Sequence, residues 1–278
     1  HVEVALGISK EENLNMIRDS IDYLKSQGRK VFFDSEHFFD SFKSNPEYAL
    51  AVIKTASDAG ADGVILCDTN GGTMPDEIKK AVTKANEIIG KKAIIGVHCH
   101  NDCDLAVANS LSAYEAGAKQ IQGTINGIGE RCGNANLISI IPNLELKYEK
   151  KVLPDENLKN LTLISRQISD ILNMNPNDHQ PFVGTSAFAH KGGLHVSAVQ
   201  KNSKTYEHVS PEDIGNSNRI VVSEQSGVSN IFSLAEKYKI DLGPNPKETA
   251  KDLLKKIKEM EHKGYQFENA SASFTLLL

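Results

Sequence analysis

The sequence predicts an α/β fold built on a parallel sheet, and three observations carry that prediction. Short, continuous apolar runs recur at 1–6, 31–34, 63–67, 93–97 and 120–123. Each is followed by a stretch of helical periodicity, and the runs start roughly 30 residues apart, the length of a strand plus its crossover helix. The central runs, 63–67 and 93–97, are apolar throughout rather than alternating, as strands covered on both faces by helices must be.

Local signals place the elements in order. Ser9 and Glu12 form a capping box ahead of a helix over 13–25, and Gly28 follows to end it. Pro46 and Pro75 stand where first-turn prolines belong. Ala59-Gly60-Ala61 and Ala116-Gly117-Ala118 end two helices in the same way. Beyond residue 149 the pattern changes. A helix is predicted over 158–173, then an irregular stretch over 176–223 that holds His179, His190, His195 and His208. Two further helices are predicted over 228–239 and 246–263, separated by Gly243-Pro244. The expected division is a sheet-bearing region over 1–149, a helix-and-loop subdomain over 150–242, and the start of a second helical subdomain over 243–278.

Composition narrows the function. The net charge is −5 and the basic residues are scattered, which speaks against a nucleic-acid surface. No apolar run is long enough to span a membrane, and the start does not resemble a signal peptide. Cys67, Cys99, Cys103 and Cys132 show no CxxC spacing, so reduced thiols in a cytoplasmic protein are expected. The chain opens on His1 and stops on the apolar run 274–278, and both ends read as cut from a longer chain.

In a parallel βα fold, reactive groups collect at the carboxyl ends of the strands. Four successive strand ends here carry polar residues: 34–37, 68–71, 98–102 and 126–131. The sharpest is Val97-His98-Cys99-His100-Asn101-Asp102. Residues i and i+2 of a strand share a face, so both imidazoles point the same way, and imidazole is a common metal ligand. An isolated pair of this kind is more readily two hydrogen-bonded histidines holding a loop. On a strand end among three other polar ends, the ligand reading is favoured. Glu36 is open between a general base and an ion-pair partner. Thr69 suits a substrate carboxylate, but Asp68-Thr69-Asn70-Gly71 is also a good turn sequence. Gly127-Ile128-Gly129 lacks the third glycine of a dinucleotide fingerprint. Cys99 and Cys132 read as packing residues rather than nucleophiles. His195 and Tyr206, far along the chain, have no role that spacing alone defines.

Taken together, the runs 98–102, 124–134, 188–195 and 223–227 resemble the 2-isopropylmalate synthase, homocitrate synthase and citramalate synthase family of metal-dependent condensing enzymes. The variants at 36–40, 67–72 and 205–208 look most like the citramalate synthase branch. The resemblance implies an eight-stranded TIM barrel, of which this chain supplies the last five βα units, followed by a helical subdomain. It implies a divalent metal (Mg, Mn or Zn) held by His98 and His100, with Asn134 contributing weakly or through water. It implies Thr69 on the substrate carboxylate, Glu36 and His195 in the proton transfers and Tyr206 beside them in the catalytic site, the last two reaching into a neighbouring subunit of a homodimer. The implied reaction condenses acetyl-CoA with a 2-oxoacid, most simply pyruvate. The family's Leu-Arg-Asp-Gly motif, source of an aspartate ligand, is absent, so a piece of a longer enzyme, inactive alone, is the expectation. A lyase of the same barrel group is the rival enzyme reading, and a non-catalytic fragment the third.

Overall fold

The computed structural model describes residues 1–190, 193–220, 226–267 and 271–277, which fall into two compact units, His1–Asn143 and Leu144–Leu278. In the first unit α1 (Lys10–Ser26) leads to β1 (Phe32–Ser35), α2 (Phe38–Ser44) and α3 (Pro46–Asp58). The chain continues through β2 (Gly63–Asp68), α4 (Pro75–Ile89), β3 (Ile94–Cys99), α5 (Ala106–Glu115) and β4 (Gln120–Gln122) to α6 (Leu137–Leu146), which crosses the unit boundary. The four strands pair in sequence order, all parallel.

The helix signals act as the sequence suggests. Ser9 caps α1 by accepting from the Glu12 amide at 3.1 Å, and Pro46 and Pro75 open α3 and α4. The two Ala-Gly-Ala endings are the same motif. In each, the amides of the glycine and the following alanine return to the last helical turn, with Gly60 and Gly117 at positive φ. Burial explains why β2 is unbroken Gly-Val-Ile-Leu: all six of its residues are buried. Val64, Ile65 and Leu66 are fully buried, as are Ile53 of α3 and Ile78 and Val82 of α4. Each such side chain contributes about 1.5–3 kcal/mol on burial.

The first apolar run is a correction. Residues 1–6 are turns, not a strand, so the described sheet has four strands where five were expected. The Ala5 and Leu6 amides donate to the His1 carbonyl and the Ile8 amide to that of Val2, so the backbone is satisfied locally. Val4 and Leu6 are exposed and gain nothing by extending.

In the second unit α7 (Leu161–Ile171) precedes β5 (Ala189–His190), α8 (Gly193–Lys201) and β6 (Arg219–Ile220). α9 (Val228–Tyr238), α10 (Pro246–His262) and α11 (Ser271–Leu277) follow. α9 and α10 match their predicted spans within a residue. Ile231, Leu234, Ala250, Leu253, Ile257 and Phe267 form their shared core. The stretch 176–223 is less irregular than expected, because α8 and the parallel pair β5–β6 lie within it.

Candidate active site

The strand ends of the first unit are tied together through four loops. After β1, Glu36 is exposed in the turn before α2. Its neighbour His37 takes a left-handed φ of 55° and donates its amide to Thr69 Oγ1 at 2.7 Å, tying the loop after β1 to the loop after β2. Because that hydroxyl oxygen accepts from His37, its own O–H remains available to donate. Below it, Asp68 is buried and accepts from Thr73 Oγ1 at 2.7 Å, with the Thr73 amide and Asn109 Nδ2 at 3.4 and 3.5 Å. Burial pushes the Asp68 carboxyl above its usual range.

The loops after β3 and β4 meet through Arg131. Its guanidinium grips both oxygens of Asp102, at 2.8 and 2.9 Å, and donates to the Thr69 carbonyl at 2.7 Å. The hydrogen bonds from Arg131 hold the Asp102 carboxyl below the usual carboxylate range. The run 124–134 folds back upon itself to place Asn134 beside β3, where His100 and Asn134 form an isolated β-bridge. Two glycines permit this. A Cβ on Gly133, at φ 93°, would lie 2.0 Å from the Gly127 carbonyl oxygen, and one on Gly129 would lie 1.8 Å from Asn134 Oδ1.

His98, His100 and Asn134 therefore come together, as the motif suggests. The two rings are 5.1 Å apart between centroids. His98 Nδ1 faces Gln122 Oε1 at 3.0 Å, and its Nε2 faces the Asn134 amide nitrogen at 3.0 Å. The carbonyl oxygen of Gln122 can only accept, so this arrangement suits the Nδ1–H tautomer, whose Nε2 carries a lone pair. His100 Nδ1 is buried with no hydrogen-bond partner, and burial, reinforced by His98 and Arg131, lowers the His100 pKa from its ordinary 6.5. A buried imidazole nitrogen without a partner, beside a second imidazole and an amide, is a donor set that a divalent cation of the zinc, manganese or magnesium type would fit. Among the described residues no group of three or more His, Cys, Asp or Glu side chains gathers around a metal position. A cation held here would complete its shell with water or substrate oxygens.

The sequence reading missed Gln122. The signal was available in the strand register: a polar side chain in β4 paired across from a strand-end histidine in β3. Asn109 was missed too, being an asparagine on a helix with no motif around it.

His195 and Tyr206 belong to the second unit, where the structure brings them together. His195 is exposed in α8, Tyr206 is 47% exposed, and their rings lie 4.3 Å apart. Glu207, next in the chain, points inward, with a carboxylate oxygen 3.5 Å from His190 Nε2. Lys191 and Gly192 of the run 188–195, and Ser223, Glu224 and Gln225 of the run 223–227, lie outside the described residues.

A parallel βα sheet with its polar side chains gathered at the carboxyl ends of the strands defines the class: an α/β domain of the kind that carries its site at that edge of the sheet. Within that class the chain belongs to the HMGL-like family, whose model matches residues 1–168, and residues 182–265 match the homocitrate synthase post-HMGL domain-like family. It is 54% identical over 285 aligned residues to the (R)-citramalate synthase of Synechocystis sp., covering 100% of this chain and 52% of that protein. To the 2-isopropylmalate synthase of Sulfolobus acidocaldarius it is 36% identical, covering 98% of this chain and 68% of the relative. The HMG-CoA lyase of Bacillus subtilis shares the fold, with a TM-score of 0.52 at 18% identity over 63% of this chain and 60% of that one. The chain spans about half the length of the citramalate synthases it matches.

Proposed function

We propose that the full-length protein is an acyltransferase that condenses acetyl-CoA with pyruvate and hydrolyses the thioester, yielding citramalate, free CoA and a proton, as a step in branched-chain amino-acid biosynthesis. The observation that carries this reading is the gap between 54% identity to a citramalate synthase and 36% to a 2-isopropylmalate synthase. The match of residues 182–265 to a homocitrate synthase domain favours a condensing enzyme over a lyase of the same fold.

The residues divide the chemistry among them. A divalent metal bound at His98, His100 and Asn134 would supply Lewis acidity to the 2-oxo group of the acceptor. The Thr69 hydroxyl donates to the acceptor carboxylate and fixes its orientation. Glu36 and His195 serve the proton transfers that activate the acetyl methyl group, with the Tyr206 ring tilted against that of His195 at 4.3 Å. The carbanion adds to the oxo carbon, and water then cleaves the C–S bond. We further propose that His195 and Tyr206 act in the site of the partner subunit of a homodimer. A base brought across a dimer can cover the thioester and exclude water. Among the described residues no helix is long and apolar enough to cross a membrane, and we place the enzyme in the cytoplasm with its small-molecule substrates.

Release of free CoA, followed with a thiol reagent on the full-length protein, tests the assignment. Pyruvate should be turned over, while 2-oxoisovalerate and 2-oxoglutarate should be poor acceptors, and chelation of divalent metal should abolish the signal. No CoA release with pyruvate would overturn the assignment, and a preference for 2-oxoisovalerate would replace it with 2-isopropylmalate synthesis.

A further inference from the structure

Gln122 lies in β4 directly across from His98 in β3, and neighbouring residues of a parallel pair present their side chains on the same face of the sheet. Its carboxamide oxygen is 3.0 Å from His98 Nδ1. Each ring nitrogen of His98 thus has one neighbour of defined chemistry: an acceptor at Nδ1, and at Nε2 the Asn134 amide of the candidate metal centre. An imidazole without an acceptor at Nδ1 exchanges its proton between the two nitrogens and can rotate about its ring bond. Only the Nδ1–H tautomer offers a lone pair at Nε2. Among the described residues, Gln122 and Asn134 are the side chains hydrogen-bonded to the histidine pair, and His100 Nδ1 has no such support.

We propose that Gln122 is a positioning residue of the metal centre, fixing the tautomer and ring orientation of His98 so that Nε2 is held ready as a ligand. The inference rests on the metal reading of His98 and His100. It differs from a packing role for Gln122, because a side chain that only fills space would affect folding and leave metal affinity alone. Metal-ligating histidines that lose the acceptor of their second nitrogen bind roughly 10–100-fold more weakly.

The test measures Mn2+ affinity of the full-length protein from the loss of the free-ion paramagnetic resonance signal. Mn2+ is chosen because a hard cation avoids the exposed thiols of Cys103 and Cys132. Gln122→Leu removes the acceptor and should raise Kd by roughly 10–100-fold while the metal-free protein melts as the wild type does. Gln122→Glu restores a stronger acceptor and should bind Mn2+ at least as tightly as the wild type. In the metal-free wild type, nitrogen shifts of the His98 ring should report the Nδ1–H tautomer, and in Gln122→Leu a mixture. Wild-type affinity in Gln122→Leu, or an Nε2–H tautomer in the wild type, would overturn the proposal. Should Gln122→Leu not fold, Gln122→Glu decides, and a tenfold loss of affinity there overturns the proposal equally. His98→Ala separates the two levels: if it takes up Mn2+ as well as the wild type, the metal reading itself fails.

Discussion

Two polar clusters cap neighbouring strands of one sheet, and they have opposite characters. At the end of β2, Asp68 is buried and three donors from Thr73 and Asn109 converge on it. At the end of β3, His98 and His100 are half-buried, and His100 Nδ1 has no hydrogen-bond partner. Each cluster has one buried polar atom without a hydrogen-bond partner among the described residues, His100 Nδ1 beside His98 and Asn109 Oδ1 beside Asp68, and of the two the imidazole nitrogen has the chemistry of a metal ligand. The cluster in which the donors converge is a lock: it holds the loop of Thr69 from below while His37 and Arg131 hold it from above. A polar strand end is therefore not by itself a site. The difference lies in the atom left over: an imidazole nitrogen beside a second imidazole at the end of β3, an amide oxygen in a cluster closed around a carboxylate at the end of β2.

His98→Ala or His100→Ala should remove metal-assisted activation of the acceptor. That activation is worth several kcal/mol, so CoA release should fall by roughly a thousandfold or more with little change in unfolding of the metal-free protein. Because burial lowers the His100 pKa, that ring stays neutral somewhat below pH 6.5, and its protonation should displace metal only below that value. Metal uptake measured against pH checks this.

Asp68→Ala should show the inverse pattern. It strands buried donors, at a cost of about 2–3 kcal/mol in urea unfolding, and lowers activity mainly through the folded fraction. The sign of the pH effect follows from burial. Asp68 has a folded-state pKa above its ordinary 3.8, so the folded state favours the protonated acid. Its contribution to stability is greatest below pH 3.8 and declines as pH rises through the raised pKa. The stability advantage of the wild type over Asp68→Asn should shrink across that interval. An advantage that grows instead would mean that the converging donors outweigh burial.

A smaller effect is expected at Gly129. The Cβ of Gly129→Ala would meet Asn134 Oδ1 and push that amide away from His98. A roughly tenfold loss of metal affinity with unaltered pyruvate specificity is the expected result, read by metal titration. The smallest effect belongs to Arg131→Lys. The ion pair with Asp102 is partly exposed, so stability should change by less than about 1 kcal/mol. Thr69 would lose its hold from above, and the KM for the 2-oxoacid should rise more than kcat falls.

Much of this was legible in the sequence, for reasons that differ by region. β2, β3 and the helices between them announce themselves because burial on both faces demands unbroken apolar runs, and because proline and Ala-Gly-Ala mark the helix ends. Residues 1–6 misled because a short apolar run has no periodicity of its own; whether it extends depends on a neighbouring edge and on burial, neither of which composition records. His98 and His100 stood out by their i, i+2 spacing on a strand end, and Asn134 by the resemblance to the condensing-enzyme family. Gln122 and Asn109 did not, since each matters through one partner on another element. His190 and Glu207 escaped for the same reason: their pairing spans an irregular stretch whose course periodicity does not encode.

The most direct test of the central claim is a crystal structure of the full-length protein grown with Zn2+ and recorded across the zinc absorption edge. The account predicts a single anomalous peak about 2.1 Å from a ring nitrogen of both His98 and His100, with Asn134 beside it. Density showing the two histidines hydrogen-bonded only to protein and water, with the zinc elsewhere or absent, would contradict it.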